Sequence, residues 1–180
     1  GSFDKRKDLI TLVKAFKLLK EDTKNKHLKL VLAGKKILNG NAEVLNNLEK
    51  YILTNNLSTS ILMTDYLSNR EISSLFKKAL IYVFPSIEEG FGIPILEAFA
   101  MKIPVVTSNA GAMVEIAEGA AEHFNAGDHI ELFKTLTKLI ISKPERTYLI
   151  QKGSKRLKAF SREKFIEDYE QLILKSLRIK

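Results

Sequence analysis

Short apolar runs alternate along this chain with stretches in which apolar residues recur every three or four positions, and this alternation limits the fold more than any other feature. The apolar runs predict buried strands at residues 28–34, 61–63, 80–84 and 104–107. The periodic stretches predict amphipathic helices at residues 8–21, 44–52 and 68–79, from about 94, at 128–140 and after 161. Because strands that alternate with helices are normally parallel, we predict an α/β domain with a doubly wound parallel sheet and helices on both faces.

The size of the chain predicts a single domain that comprises residues 1–180. Hydrophobic residues make up 45% and charged residues 28%, as in ordinary globular proteins, and no internal repeat or low-complexity linker is present. No complete strand precedes the first helix, since Gly1-Ser2-Phe3 leads directly into a basic turn. We therefore expect a truncated first strand in a chain that begins inside a longer protein, although Gly1-Ser2 could equally be an expression scar.

The residue types that are rare or absent exclude several classes of protein. The chain has no cysteine, and the spacing of His27, His123 and His129 does not suit a metal, so we expect neither a metal nor another cofactor. No apolar run approaches the roughly 20 residues that cross a bilayer, and the N-terminus lacks the apolar segment of a signal peptide. We expect a cytoplasmic domain, with a peripheral position at the inner membrane face as the alternative.

The formal net charge of +8 would suit an anionic partner such as a nucleotide, an anionic lipid surface or a nucleic acid. The lysines are spread over most of the predicted helices, and no basic stretch is interleaved with aromatic residues. We therefore do not expect a nucleic-acid partner, whereas a nucleotide or a membrane surface stays open.

The loop after the predicted strand at 80–84 is the first candidate site, because ligands of doubly wound sheets bind outside the carboxyl ends of the strands. Gly90 and Gly92 permit torsions and close approaches that expose backbone amides near the start of the next helix, where an anionic or oxygen-rich ligand can bind. Glu89 and Glu97 can face one crevice and accept hydrogen bonds from hydroxyl pairs such as those of sugars. Glu97 lies on an otherwise apolar helix, where burial without a partner would be costly, and this favours a function.

The segment EGFGIPILE at residues 89–97 resembles the E-x(7)-E signature of retaining glycosyltransferases of family 4 in its usual E-G-F-G-x-P-x-x-E form. Residues 3–9 resemble the basic R-K-N turn that opens the family's donor-binding domain, and residues 104–108, followed by Glu115, resemble the strand after the signature helix. The resemblance covers nearly the whole chain and implies the Rossmann-like C-terminal half of a two-domain glycosyltransferase. Asp65, where relatives often carry glycine, and Ala126, where proline is common, depart from the pattern.

The resemblance implies a role for each residue that would hold the nucleotide. Arg6 and Lys7 would bind the diphosphate, for which paired cations are suited. Glu97 would accept hydrogen bonds from the ribose hydroxyls, and Leu67 would contact the base through its backbone.

The resemblance also implies which residues would act on the transferred sugar. Glu89 would hold the sugar hydroxyls near the anomeric carbon as a positioning and electrostatic residue rather than as a nucleophile. The backbone of the loop that follows would assist it: Gly90, Phe91, Gly92 and Ile93.

The function that the resemblance implies is transfer, with retention, from a nucleotide diphosphate sugar to a glycan or lipid-linked acceptor, as in polysaccharide biosynthesis. The acceptor site would lie in a missing N-terminal domain, so this chain alone would be inactive. Two alternatives stay open. One is a non-catalytic nucleotide-binding module, which would use Arg6, Lys7 and Glu97 but not Glu89; the other is a sugar-nucleotide epimerase of related fold.

Overall fold

Five strands and eight helices occur in the part of the chain that the structure describes, residues 3–34 and 42–177 of a computed structural model. The strands are β1 Leu30–Ala33, β2 Ile61–Thr64, β3 Tyr82–Phe84, β4 Val105–Ser108 and β5 Glu122–Phe124. The helices are α1 Leu9–Glu21, α2 Ala42–Thr54, α3 Asn69–Lys78, α4 Ile93–Ala100, α5 Ala112–Ala117, α6 His129–Ile141, α7 Lys143–Leu157 and α8 Arg162–Leu177. Short 3-10 turns occur at Lys5–Lys7, Thr23–Asn25 and Lys158–Phe160.

The strands are parallel and form two hydrogen-bonded ladders. β1 pairs with β2, with Leu30 opposite Ile61. The second ladder has the order β3-β4-β5, with Tyr82 opposite Val105. The predicted α/β fold with parallel strands is confirmed, but hydrogen bonding between the described strands divides the predicted sheet into two ladders.

Helices cover both faces of the second ladder, as two neighbouring residues of β4 show. Val105 and Val106 are fully buried, and successive side chains of a strand point to opposite faces. Val106 packs in a cluster that includes Leu132 of α6, whereas Val105 packs in a second cluster with Phe99 of α4 and Met113 of α5. The predicted helical layers on both faces are therefore confirmed.

Two helices begin at the capping residues that the sequence predicts. Ser68 accepts a hydrogen bond from the backbone N–H of Glu71, and the Glu71 carboxylate accepts one from the Ser68 N–H at 2.8 Å, which completes a capping box at α3. Asp128 caps α6 by accepting hydrogen bonds from the N–H groups of Ile130 and Glu131, each at 2.9 Å.

Three elements have no counterpart among the predicted ones, namely β5, α5 and α7. β5 comprises three residues, of which Glu122 and His123 are polar, so no apolar run marks it. α5 has six residues, too few to show a helical period. Both are fixed by tertiary contacts: β5 by its pairing with β4, and α5 by packing against α4.

Candidate active site

Glu89 lies in the loop between β3 and α4, at the carboxyl end of the second ladder, and its carboxylate contacts two cations. Lys7 Nζ forms an ion pair with Oε1, and Arg6 Nη1 lies 2.9 Å from Oε2. The two backbones also meet here, since the Ile87 N–H donates to the Arg6 carbonyl at 2.8 Å. The structure therefore brings together Arg6, Lys7 and Glu89, which the sequence predicts to share a site.

The ion pairs at Glu89 are largely shielded from solvent. The side chains of Glu89 and Lys7 are 12% and 14% exposed, whereas that of Arg6 is 45% exposed. Burial on its own would raise the pKa of Glu89, but hydrogen bonds from Lys7 and Ser86, with the charge of Lys7, outweigh burial and hold this pKa below its ordinary value. The carboxylate is thus ionised at neutral pH and neutralises cations that an anionic ligand would need.

A chain of buried hydroxyl groups holds this loop against β4. The Ser86 hydroxyl donates to Glu89 Oε1 at 3.0 Å, and the Ser86 carbonyl accepts from the Ser108 hydroxyl. Thr107 donates to the Phe84 carbonyl at 3.1 Å, and all three hydroxyl residues are fully buried. Sequence reasoning does not find Ser86 as a site residue, because its only signal is its place in the loop.

Gly92 sets the angle at which α4 leaves the loop. Its backbone has φ +97° and ψ 35°, a left-handed conformation that L side chains rarely adopt, and it occupies the N-cap position of α4. The first N–H groups of a helix have no partner within the helix and carry its partial positive charge. The start of α4 therefore suits an anionic or hydroxyl-rich ligand beside Glu89.

A Gly92→Ala substitution is expected to lower the free energy of unfolding by about 1 kcal/mol, because the left-handed conformation brings the Cβ of alanine too close to the backbone. The added Cβ would also lie 3.3 Å from Ile95 Cδ1. Gly90→Ala is the matched control, since no atom lies within 4 Å of its added Cβ. Urea unfolding of the two variants measures the difference, and equal stabilities would contradict the conformational role given to Gly92.

Glu97 lies on the exposed side of α4, whereas Ile95 and Phe99 of the same helix are buried. The burial cost that the sequence suggests for Glu97 therefore does not arise, since α4 turns this carboxylate towards solvent. Burial raises the pKa of the Tyr82 hydroxyl, and the negative charges of Glu97 and Glu89 raise it further. That Glu89 and Glu97 face one crevice stays a prediction, since Glu97 lines the largest described cavity beside Lys7 and Glu89 does not line it.

The remaining predicted residues of the loop are mostly accessible. Gly90 is exposed, and Ile93 is 60% exposed. Phe91 is 47% exposed and packs edge-on against Phe160, with the ring centroids 6.0 Å apart. These three residues are therefore accessible to solvent, and their roles in sugar binding stay predictions.

Leu67 lies at a different cavity from Lys7 and Glu97. It follows β2 and lines a cavity of about 390 Å³, whereas Lys7 and Glu97 line a larger one of about 760 Å³. The contact of Leu67 with a base remains a prediction.

The structure also shows how two neighbours of the site are placed. Asp4 Oδ1 lies 3.4 Å from Arg6 Nε, so a second carboxylate holds this guanidinium. Gly111, at the start of α5, has φ +54° and lies close to the Glu89 carbonyl. Sequence reasoning names neither residue as part of the site.

The described ranges, residues 3–34 and 42–177, contain neither a metal-binding cluster of side chains nor a membrane-spanning helix. Within these ranges no group of three or more His, Asp or Glu side chains is arranged to hold a metal ion. The helices found there are too short or too polar to span a bilayer.

The fold and the site together define a Rossmann-like α/β domain with a cluster of charged side chains at the carboxyl end of β3. The family model "Glycosyl transferases group 1" matches residues 1–156. This chain belongs to the group 1 family of glycosyl transferases.

Curated relatives include enzymes of O-antigen synthesis. The chain is 32% identical over 92 residues to the O-antigen chain mannosyltransferase RfbU of Salmonella typhimurium, a match that covers 51% of this chain and 26% of that protein. It is 31% identical over 120 residues to the O-antigen chain mannosyltransferase B of Escherichia coli, covering 67% of this chain and 30% of that protein. The chain thus spans less than a third of the length of these relatives.

Solved structures share the fold. The C-terminal domain of the group 1 glycosyl transferase LpcC from Francisella tularensis superimposes with a TM-score of 0.77 at 23% identity, covering 88% of this chain and 82% of that one. The Anabaena protein Alr3699/HepE, solved in complex with UDP, superimposes with a TM-score of 0.80 at 18% identity, covering 99% of this chain and 47% of that one. At these identities the likeness shows the fold alone.

Proposed function

We propose that this chain is the donor-binding domain of a two-domain, retaining glycosyltransferase of family 4. In this proposal the enzyme transfers a sugar from a nucleotide diphosphate sugar to a glycan or lipid-linked acceptor. The observation that carries it is the cluster of Arg6, Lys7 and Glu89 beside the first turn of α4. This cluster places two cations, one carboxylate and a helix N-terminus at one position, which suits a ligand that carries both phosphates and hydroxyl groups.

Each part of the cluster would act on a different part of the donor. Arg6 and Lys7 would hold the diphosphate and stabilise the charge that develops on it as the glycosidic bond breaks. Glu89 and the amides of the loop would hold the sugar hydroxyls, and Glu97 would accept hydrogen bonds from the ribose. Because Arg6 and Lys7 would both face the diphosphate, we propose that donor binding requires no divalent metal.

The sugar and the acceptor are proposed from the relatives. Two of them are named O-antigen chain mannosyltransferases, so a nucleoside diphosphate mannose is the first donor to test. The acceptor would bind to an N-terminal domain outside this chain. This chain alone would bind the donor but would not transfer the sugar. A lipid-linked acceptor would also place the enzyme peripherally at the inner face of the membrane.

Calorimetric titration of the chain with UDP, GDP and ADP, each with and without EDTA, tests this function. We expect one nucleotide to bind saturably, independently of EDTA, and Glu97→Ala to weaken it about tenfold through loss of a charged hydrogen-bond acceptor. Glu88→Ala, at an exposed neighbouring carboxylate, is the control and should bind as the unsubstituted chain does. Binding that Glu97→Ala leaves unchanged would contradict the proposed ribose contact, and binding that EDTA abolishes would contradict the metal-free site.

A further inference from the structure

The loop between Glu89 and α4 carries a single side chain, that of Phe91, because the residues on either side of it are Gly90 and Gly92. Glu89 is fixed at one end of the loop by its ion pairs, and α4 begins with Ile93 at the other end. Glycines leave the backbone wide conformational freedom. The contacts of the Phe91 ring therefore control where the backbone amides of this loop lie.

Phe91 packs edge-on against Phe160, with an angle of 89° between the two ring planes. This is one of the arrangements that aromatic pairs favour. Phe160 ends the short turn between α7 and α8 and packs against the buried cluster that includes Phe99 of α4 and Met113 of α5. The half-exposed Phe91 ring is thus held by a second ring that is itself anchored on the core.

Arg156, in the last turn of α7, supports Phe160. Its guanidinium carbon lies 4.7 Å from the centre of the Phe160 ring, within the range of a cation–π interaction. The guanidinium is fixed because it donates to the carbonyls of Glu115 and Ile116, at 2.9 Å each, and forms an ion pair with Glu118. The two carbonyls lie in the last turn of α5, where a helix has unused acceptors and favours a cation.

Helix α5 connects this support back to the loop. Its last turn holds Arg156, and Gly111, just before its first turn, lies close to the Glu89 carbonyl. The position of Arg156 is also fixed relative to α4, because α7 packs closely on α4 at Gly153. The loop, α5 and the end of α7 therefore form one packed unit.

We propose that Phe160 is a positioning residue for the sugar contacts of the loop between β3 and α4. Its ring holds Phe91, and Phe91 fixes the backbone amides of residues 90–93 where they can donate to sugar hydroxyls. The identity of the ligand rests on the proposed function, whereas the rigidity of the loop rests on the contacts alone.

Other elements place the groups that would bind the nucleotide. Arg6 and Lys7 lie in the turn that precedes α1, and Glu97 lies on α4 itself. Loss of the Phe160 ring is therefore expected to weaken the contacts with the sugar much more than those with the nucleotide.

Order parameters from amide nitrogen relaxation in the 180-residue chain are the first test. We expect values of about 0.85 at Phe91 and Gly92, and a fall to about 0.6 in Phe160→Leu, because leucine has no ring to hold Phe91. Phe160→Tyr keeps the ring and should keep these values. Phe165→Leu makes the same change at a ring of α8 that is 69% exposed, and it should leave them unchanged.

Removing the contact from the other side gives a second variant. Phe91→Leu, at a half-exposed position, should lower the order parameter of Gly92 as Phe160→Leu does. Combining the two changes should add little, since both remove the same contact. Unchanged order parameters in Phe160→Leu would overturn the proposal, and so would an equal fall in Phe165→Leu.

Calorimetric titration with two pairs of probes, GDP with GDP-mannose and UDP with UDP-glucose, is the second test. For the pair that binds, we expect Phe160→Leu to weaken the nucleotide sugar about fivefold, because displaced amides lose hydrogen bonds to the sugar. The free nucleoside diphosphate should weaken by less than about twofold, and Phe160→Tyr should bind both probes as the unsubstituted chain does.

The two tests separate this inference from the proposed function. Equal weakening of both probes in Phe160→Leu would overturn the inference, because Phe160 would then support the whole site rather than the loop. If the unsubstituted chain bound neither pair, the proposed function would fail, and the order parameters alone would support or overturn the role of Phe160.

Discussion

A Glu89→Gln substitution in the proposed two-domain enzyme is expected to lower sugar transfer about a hundredfold, while it tightens the binding of a nucleoside diphosphate that carries no sugar. The two effects have opposite signs because Glu89 has two opposing interactions. It would hold the sugar hydroxyls during transfer, and without ligand it pairs with both Arg6 and Lys7. Removing its charge removes a sugar contact, but it also frees Lys7 and leaves Arg6 paired with Asp4 alone.

The gain in diphosphate affinity follows from the burial of these ion pairs. The side chains of Lys7 and Glu89 are largely buried, so their attraction is screened less than that of a surface pair. A diphosphate that binds Lys7 must compete with Glu89 for the same ammonium group. Loss of this competition is expected to tighten binding by up to about tenfold, or 1.4 kcal/mol.

Two measurements separate the effects: calorimetry with the nucleoside diphosphate, and initial rates of transfer with the full nucleotide sugar. Glu88→Gln changes the same charge at an exposed neighbour and should alter neither. Arg6→Ala combined with Lys7→Ala should weaken both binding and transfer. If Glu89→Gln left transfer unchanged, a non-catalytic nucleotide-binding module would become the better interpretation.

The sequence predicts the parts of this fold that have a local cause. Ser68 with Glu71 marks the start of α3, and apolar runs mark β1 to β4, although only β4 is buried along its whole length. Helix α7 escapes prediction because its apolar residues lack a clear period and Gly153 lies within it. Its start did carry a signal, since Ser142 and Glu145 have the capping-box spacing, and Ser142 accepts a hydrogen bond from the Glu145 N–H.

Some features of the candidate site can likewise be predicted from local sequence, whereas others depend on tertiary contacts. The spacing of glycines and carboxylates from Glu89 to Glu97 locates the loop, because that signal is local. The contact of Glu89 with Lys7 joins residues far apart in sequence, so local patterns cannot show that the cations are already paired with a carboxylate. The outward orientation of Glu97 likewise depends on which side of α4 packs against the sheet.

A Gly153→Ala substitution is expected to destabilise the chain by about 1–2 kcal/mol, although glycine-to-alanine changes inside helices normally stabilise by roughly 0.5–1 kcal/mol. The reason is the packing of α7 on α4. A Cβ at position 153 would lie 2.5 Å from Cδ1 of Phe99, a ring that is 2% exposed and cannot turn into solvent. Overpacking of this kind typically costs about 1–3 kcal/mol, which outweighs the helical gain.

Urea unfolding, with m checked for two-state behaviour, measures this change. Gln151→Ala, at an exposed position of α7, is the control and should alter the stability by less than about 0.5 kcal/mol. Combining Gly153→Ala with Phe99→Leu should cost less than the sum of the single changes, because the smaller side chain gives the new methyl group room. A Gly153→Ala variant more stable than the unsubstituted chain would show that α7 can move away from α4 at little cost. In that case the position of α4, and with it the loop that carries Glu89, would not depend on this contact.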